Sequence, residues 1–120
     1  MAQLDMLVGD ITKNTQAVID EAIKARDEQQ ADVIVFPELT LTGYPPEDLL
    51  LRPSLDTRIE SALQRLLEEV KNIYLVVGYP RRIDGELFNC ACVIHQGKML
   101  GEYAKQKLPN FLVFDDKRYF

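Results

Sequence analysis

Glu38 is the residue of this chain best placed to do chemistry. It follows Val33-Ile34-Val35-Phe36 and Pro37. Four consecutive large apolar residues predict a strand buried on both faces. Pro37 stops that strand, because proline fixes its own φ and cannot donate to the ladder. A charge just past a buried strand sits at the carboxyl edge of a sheet, where open α/β folds place their ligands. A carboxylate held against apolar surface resists ionisation and so suits a general base; the plainer reading is a solvated loop residue. The candidate nucleophiles are Cys90 and Cys92, the only two cysteines. Their spacing puts both on one face of a strand. Free cysteines are commonly buried as small hydrophobes, and a reactive thiol needs a cation or helix terminus to lower its pKa, so both read as core. The single histidine, His95, lies on the same predicted strand and no second cysteine pair exists. A zinc site is therefore not expected, and His95 reads as structural.

The chain that must position Glu38 has 120 residues, enough for one modest domain with its own core. A hydrophobic fraction of 47% argues against disorder. The net charge of −5 and pI near 4.8 disfavour a general nucleic-acid binder, which carries a basic stripe. No apolar run approaches the ~20 residues that cross a bilayer. Asp5 and Asp10 interrupt the apolar N-terminal residues, which argues against a signal peptide. Two cysteines this close make no disulfide framework, so a reducing cytoplasm is the expected location.

Taken in order, residues 2–8 read as a short strand whose first residues look cut away, broken by Gly9-Asp10. A helix should follow, capped by Thr12 or Asn14, with Val18, Ile19, Ala22 and Ile23 inward and Lys13, Asp20, Glu21, Lys24 and Asp27 outward. With the Val33–Phe36 strand this makes a β-α-β unit of parallel neighbours. Residues 39–53 form a loop marked by Gly43, Pro45-Pro46 and Pro53, and loops of that length are usually functional or disordered. Tyr44 and Leu49-Leu50-Leu51 speak against disorder. The next helix carries Ile59, Ala62, Leu63, Leu66, Leu67 and Val70 at helical spacing, with Ser54 or Asp56 to cap it and Asn72 to end it. Ile73–Gly78 is a second buried strand. After Pro80, Asp84-Gly85 and Gln96-Gly97 signal tight turns, so Leu87–His95 and Lys98–Ala104 should be antiparallel strands. The expected order is β-α-β-α-β-β-β, an α/β fold with a mixed sheet covered by helices. The aromatic-rich ending at Phe111, Phe114, Tyr119 and Phe120 reads as a segment that continues in a longer protein.

Three segments then agree in type and order: Phe36-Pro37-Glu38-Leu39 with Gly43-Tyr44-Pro45; Val77-Gly78-Tyr79-Pro80 with Phe88-Asn89-Cys90-Ala91; and Tyr103-Ala104-Lys105-Gln106-Lys107-Leu108-Pro109-Asn110. Together they resemble the carbon–nitrogen hydrolase (nitrilase) superfamily. The longer runs Gly43-Tyr44-Pro45-Pro46-Glu47-Asp48-Leu49-Leu50-Leu51-Arg52-Pro53 and Val113-Phe114-Asp115-Asp116-Lys117-Arg118-Tyr119-Phe120 are similar to the N-terminal glutaminase domain of the glutamine-dependent NAD synthetases. The resemblance covers essentially the whole chain.

That resemblance implies an α/β/β/α sandwich, of which this chain is the first part, and a Glu–Lys–Cys triad. By it Glu38 is the general base that activates a thiol and later a water. Lys105, which alone reads as a solvated strand-end lysine, opens Lys-x-x-Leu-Pro and is selected over Lys107 to stabilise the oxyanion. A nucleophile needs a nearby base, and fixed positive charge must meet the developing negative oxygen. The family's nucleophilic cysteine lies in a strand-to-helix turn later than residue 120, so it is absent from the chain. Tyr44 serves equally as a wall near Glu38 or as a cover of the core. Phe111 stands where the family usually has a tyrosine that contacts glutamine; the change removes a hydrogen bond of roughly 0.5–1.5 kcal/mol and keeps the aromatic wall.

The function implied is hydrolysis of L-glutamine through a thioester, with the ammonia passed to a C-terminal synthetase domain that amidates deamido-NAD. ATP, Mg2+ and deamido-NAD belong to that domain, and no phosphate-binding Gly-rich loop occurs within these 120 residues. Assembly into a homo-oligomer is expected of the full-length protein, and the chain by itself should be inactive. A stand-alone nitrilase-type amidase is one alternative, which the longer motifs disfavour. A non-catalytic remnant or interaction module is the other.

Overall fold

The computed structural model describes residues 10–43 and 54–107. The expected strand at 2–8, the second part of the loop with Tyr44 and Leu49–Leu51, and the ending with Phe111 lie outside the described residues.

The first helix, α1 (Ile11–Glu28), is capped by Asp10, whose side chain accepts from the Lys13 backbone N–H at 3.1 Å. This corrects the expectation of a Thr12 or Asn14 cap. Asp10 stands one residue before the first turn, where a carboxylate oxygen reaches the third amide of the helix, whereas Thr12 and Asn14 are already inside it. Val18, Ile19 and Ala22 are buried as the periodicity requires, joined by Ile11 and Ala25. In α2 (Leu55–Glu69), Ile59, Ala62, Leu63 and Leu66 are buried. Ser54 holds its N-cap position without a side-chain hydrogen bond, and Val70 closes its far end. Asn72 follows in the left-handed region with φ 62°, so it turns the chain toward the next strand instead of ending the helix.

Four strands form one sheet in the order β1 (Val33–Val35), β2 (Tyr74–Ile83), β3 (Glu86–His95) and β4 (Lys98–Lys107). The pair β1–β2 is parallel, with Val33 opposite Tyr74; β2–β3 and β3–β4 are antiparallel. Both hairpin turns have paired positive φ values, 51° and 82° at Asp84-Gly85 and 51° and 77° at Gln96-Gly97. Those angles match the right-handed strand twist. β2 runs through Pro80, which pairs in register with Asn89, so the strand is longer than Ile73–Gly78.

Strand alternation divides the sheet. Leu75, Val77 and Tyr79 lie in register with Ile94, Cys92 and Cys90; all six are buried and join the helix residues in one core cluster. The opposite face is open. Val33 and Tyr74, 52% and 42% exposed, lie side by side on it. β1 is thus buried on one face, through Ile34, and not on both: among the described residues nothing packs over Val33 and Val35.

Candidate active site

The site lies on the open face, just past the carboxyl end of β1. Phe36 extends the ladder by one bond, donating from its N–H to Val76 O at 2.9 Å. Pro37 ends it, and the chain makes a compact turn. Leu39 takes φ 52°, the Thr40 hydroxyl donates to Pro37 O, and Gly43 N–H donates to Leu39 O at 2.9 Å. Two neighbours hold this turn in place. Asn14, buried in α1, donates from Nδ2 to Leu41 O at 3.2 Å, and Leu41 N–H donates to Gly78 O at 3.2 Å.

Gly78 sets how closely the turn approaches the sheet. A Cβ built there would stand 2.9 Å from Leu39 N and 3.2 Å from both Glu38 Cα and Pro37 O. Those are backbone atoms and cannot swing aside, so only glycine lets the segment carrying Glu38 lie on β2. The sequence signal was available: a glycine inside a strand pattern marks a close backbone approach.

Lys105 reaches the same place from the far side of the sheet. The β3–β4 register passes from Cys90 opposite Ala104 to Asn89 opposite Gln106, which leaves Lys105 as the extra residue of a β-bulge. Bulges re-aim side chains and are over-represented beside active sites. Lys105 therefore sits within β4 and not beyond its end, as residues 98–104 had suggested. Its Nζ lies 2.5 Å from Glu38 Oε1. Residues 67 apart in sequence thus form one ion pair. The Glu38 side chain is 38% exposed and Lys105 44%; the carboxylate is paired and open to water instead of enclosed by apolar surface.

The pair borders a cleft of about 310 Å³, lined also by Val35, Val76, Gly78, Asn89, Ala91 and Tyr103. Its walls are mostly apolar and its charges converge at one end, the usual character of a small-molecule site. A carboxylate there can accept a proton, and an ammonium can face a negative oxygen.

Cys90 also borders the cleft, but neither its thiol nor that of Cys92 is exposed there. Both are free and fully buried, on the helix-covered face. Burial pushes each thiol up to about 11, with the nearby Glu102 carboxylate adding to the rise, so neither forms a ready thiolate. His95 stacks on Tyr74 with ring centroids 3.8 Å apart, a packing role. Among the described residues no three His, Cys, Asp or Glu side chains gather as a metal-binding group, and no helix is long and apolar enough to cross a membrane.

Comparison with known proteins identifies the family and the fold. The carbon–nitrogen hydrolase family pattern matches residues 1–120. The glutamine-dependent NAD(+) synthetase of Xanthomonas campestris pv. campestris is 46% identical over 120 residues, covering all of this chain and 22% of that protein. Among solved structures, the glutamine-dependent NAD+ synthetase of Acinetobacter baumannii superposes with a TM-score of 0.86 at 46% identity, covering 100% of this chain and 23% of the other. A mutant of the amidase from Nesterenkonia sp. AN1, with the acetamide moiety of fluoroacetamide covalently added at its active-site cysteine, superposes with a TM-score of 0.74 at 25% identity, over 86% of this chain and 40% of its own. The chain spans less than a quarter of the length of the synthetases it matches. The α/β sheet and the family match over residues 1–120 lead to one conclusion: this chain belongs to the carbon–nitrogen hydrolase family.

Proposed function

We propose that the chain is the N-terminal portion of the glutamine amidohydrolase domain of a glutamine-dependent NAD(+) synthetase. The observation that carries this reading is the Glu38–Lys105 pair at the mouth of a cleft, in a chain 46% identical to such synthetases along its whole length. Glu38 is the general base, taking the proton of a thiol and later of a water. Lys105 supplies the positive charge that meets the oxyanion of the tetrahedral intermediate. Tyr44 and Phe111 are the candidate substrate contacts. The nucleophilic cysteine is neither Cys90 nor Cys92, whose thiols face the core, and belongs to later sequence of the full-length protein.

The substrate of this reading is L-glutamine, and the partner is a C-terminal synthetase domain that uses the ammonia. ATP, Mg2+ and deamido-NAD bind in that domain, and none of the steps assigned to Glu38 or Lys105 needs them. The Nesterenkonia amidase, at lower identity, keeps a stand-alone amidase as the second reading. Two measurements separate the alternatives. The purified 120-residue chain should release no ammonia from glutamine, and thiol-dependent release by it would overturn the proposal. A chimera in which this chain replaces the matching segment of the Acinetobacter baumannii synthetase should use glutamine to make NAD(+). A chimera that folds and uses free ammonia, yet hydrolyses only other small amides, would support the amidase instead.

A further inference from the structure

Asn89 is the polar residue of the cleft that the mechanism leaves unused. It is 1% exposed, lines the same cleft as Glu38 and Lys105, and its Oδ1 is closed to water and has no hydrogen-bond partner among the described residues. Buried side-chain oxygens are nearly always partnered, so an orphan calls for a donor. The candidate donor lies across the ladder. Asn89 pairs with Gln106 at the very bulge that extrudes Lys105. The Lys105 ammonium has three N–H donors and gives one to Glu38 Oε1. Its four-carbon stem is flexible and its donors rotate, so the ammonium can change partners.

We propose that Asn89 is a positioning residue for Lys105, its Oδ1 taking the Lys105 ammonium when Glu38 carries a proton. This rests on the reading of Glu38 as general base. When the thiol proton moves to Glu38, the carboxyl becomes neutral and its charge no longer holds Lys105. An amide oxygen does not titrate, so Asn89 keeps the ammonium at the cleft while the oxyanion forms. The ion pair in the structure is then the resting arrangement, with the Asn89 oxygen held in reserve. Tyr103 also borders the cleft, but its hydroxyl would offer one neutral donor where Lys105 offers charged ones, and charge-assisted bonds are the stronger.

The test reads Lys105 directly. In the 15N-lysine-labelled chain carrying Glu38→Gln, which mimics the protonated carboxyl, the Lys105 ammonium protons should stay protected from exchange. Adding Asn89→Leu should speed their exchange on the order of tenfold, as expected when one charge-assisted hydrogen bond is lost, while Lys107, paired with Glu86, is unchanged. Equal exchange in the single and double variants would overturn the proposal. Should Asn89→Leu fail to fold, Asn89→Asp keeps the acceptor and adds charge; the Lys105 titration should then move upward, and an unmoved titration counts against the contact. In the chimeric synthetase, Asn89→Leu should lower kcat for glutamine on the order of tenfold with little change in KM, because the contact acts after substrate binds. Protection of Lys105 by Asn89 in a chimera that folds but never hydrolyses glutamine would mean that the base reading of Glu38 has failed, and the positioning role with it. Normal kcat with unchanged exchange would sink the Asn89 inference alone.

Discussion

The two faces of one sheet do opposite work. On the helix-covered side, Tyr79, Cys90 and Cys92 are fully buried; desolvation raises the pKa of each, so they stay neutral. On the open side, Gly78 and Asn89, each one residue away along the same strands, border with Lys105 of β4 a cleft that ends in an exposed ion pair. Period-two alternation decides this along β2 and β3, and the bulge in β4 adds Lys105 to the open side. The difference teaches that reactive residue type is a poor guide here: the thiols are packing, and the exposed charges are the candidates for chemistry.

Stability should follow the same division. Leu66→Ala, at a position with 0% exposure under the sheet, should cost about 2–5 kcal/mol in denaturant unfolding, the usual range for an emptied core leucine. Val35→Ala on the open face, 37% exposed, should cost under about 1 kcal/mol, since surface changes have small effects. Comparable losses would mean that the open face is covered in solution. Thiol reactivity gives a second contrast. With both thiols pushed up to about 11, alkylation of the folded chain near pH 8 should run about 100-fold slower than in denaturant, because the thiolate fraction drops tenfold per pKa unit. The sign for stability follows. The unfolded thiols ionise first as pH rises from about 9, so the fold should lose stability between about 9 and 11 and be unaffected by these groups below that window. Fast alkylation at either cysteine in the folded state would break the contrast.

Gly78 tests the open face itself. Gly78→Ala puts a methyl 2.9 Å from Leu39 N, and overpacking of this kind typically costs about 1–3 kcal/mol. The Glu38 turn should shift with it, seen as changed amide signals for residues 38–41. Gly101, with nothing near its Cβ position, is the control, and an equal effect there would contradict the close-approach account.

Much of this was legible in the sequence. Helix stripes, both Gly-containing hairpin turns, the strand order and the pair Glu38 with Lys105 could be read from periodicity, turn chemistry and family resemblance. Other features could not, for physical reasons. The exposed side of Val33–Val35 was hidden because an apolar run looks the same whether one or both faces are covered. The bulge at Lys105 depends on pairing between strands, which no local pattern encodes. Asn14 looked like a cap and is instead a buried tether to Leu41 O, a contact 27 residues distant that only the folded chain reveals.

The smallest stability effect belongs to the residue with the largest proposed role. The Glu38–Lys105 pair is exposed, and exposed pairs contribute about 0–1 kcal/mol, so Glu38→Gln should leave unfolding nearly unchanged. In the chimeric synthetase, the same substitution should cut glutamine-driven NAD(+) formation by at least about 100-fold, the loss expected of a missing general base, while ammonia-driven formation continues at its normal rate. Equal loss of both activities would contradict the account, since Glu38 would then serve the fold and not the hydrolysis.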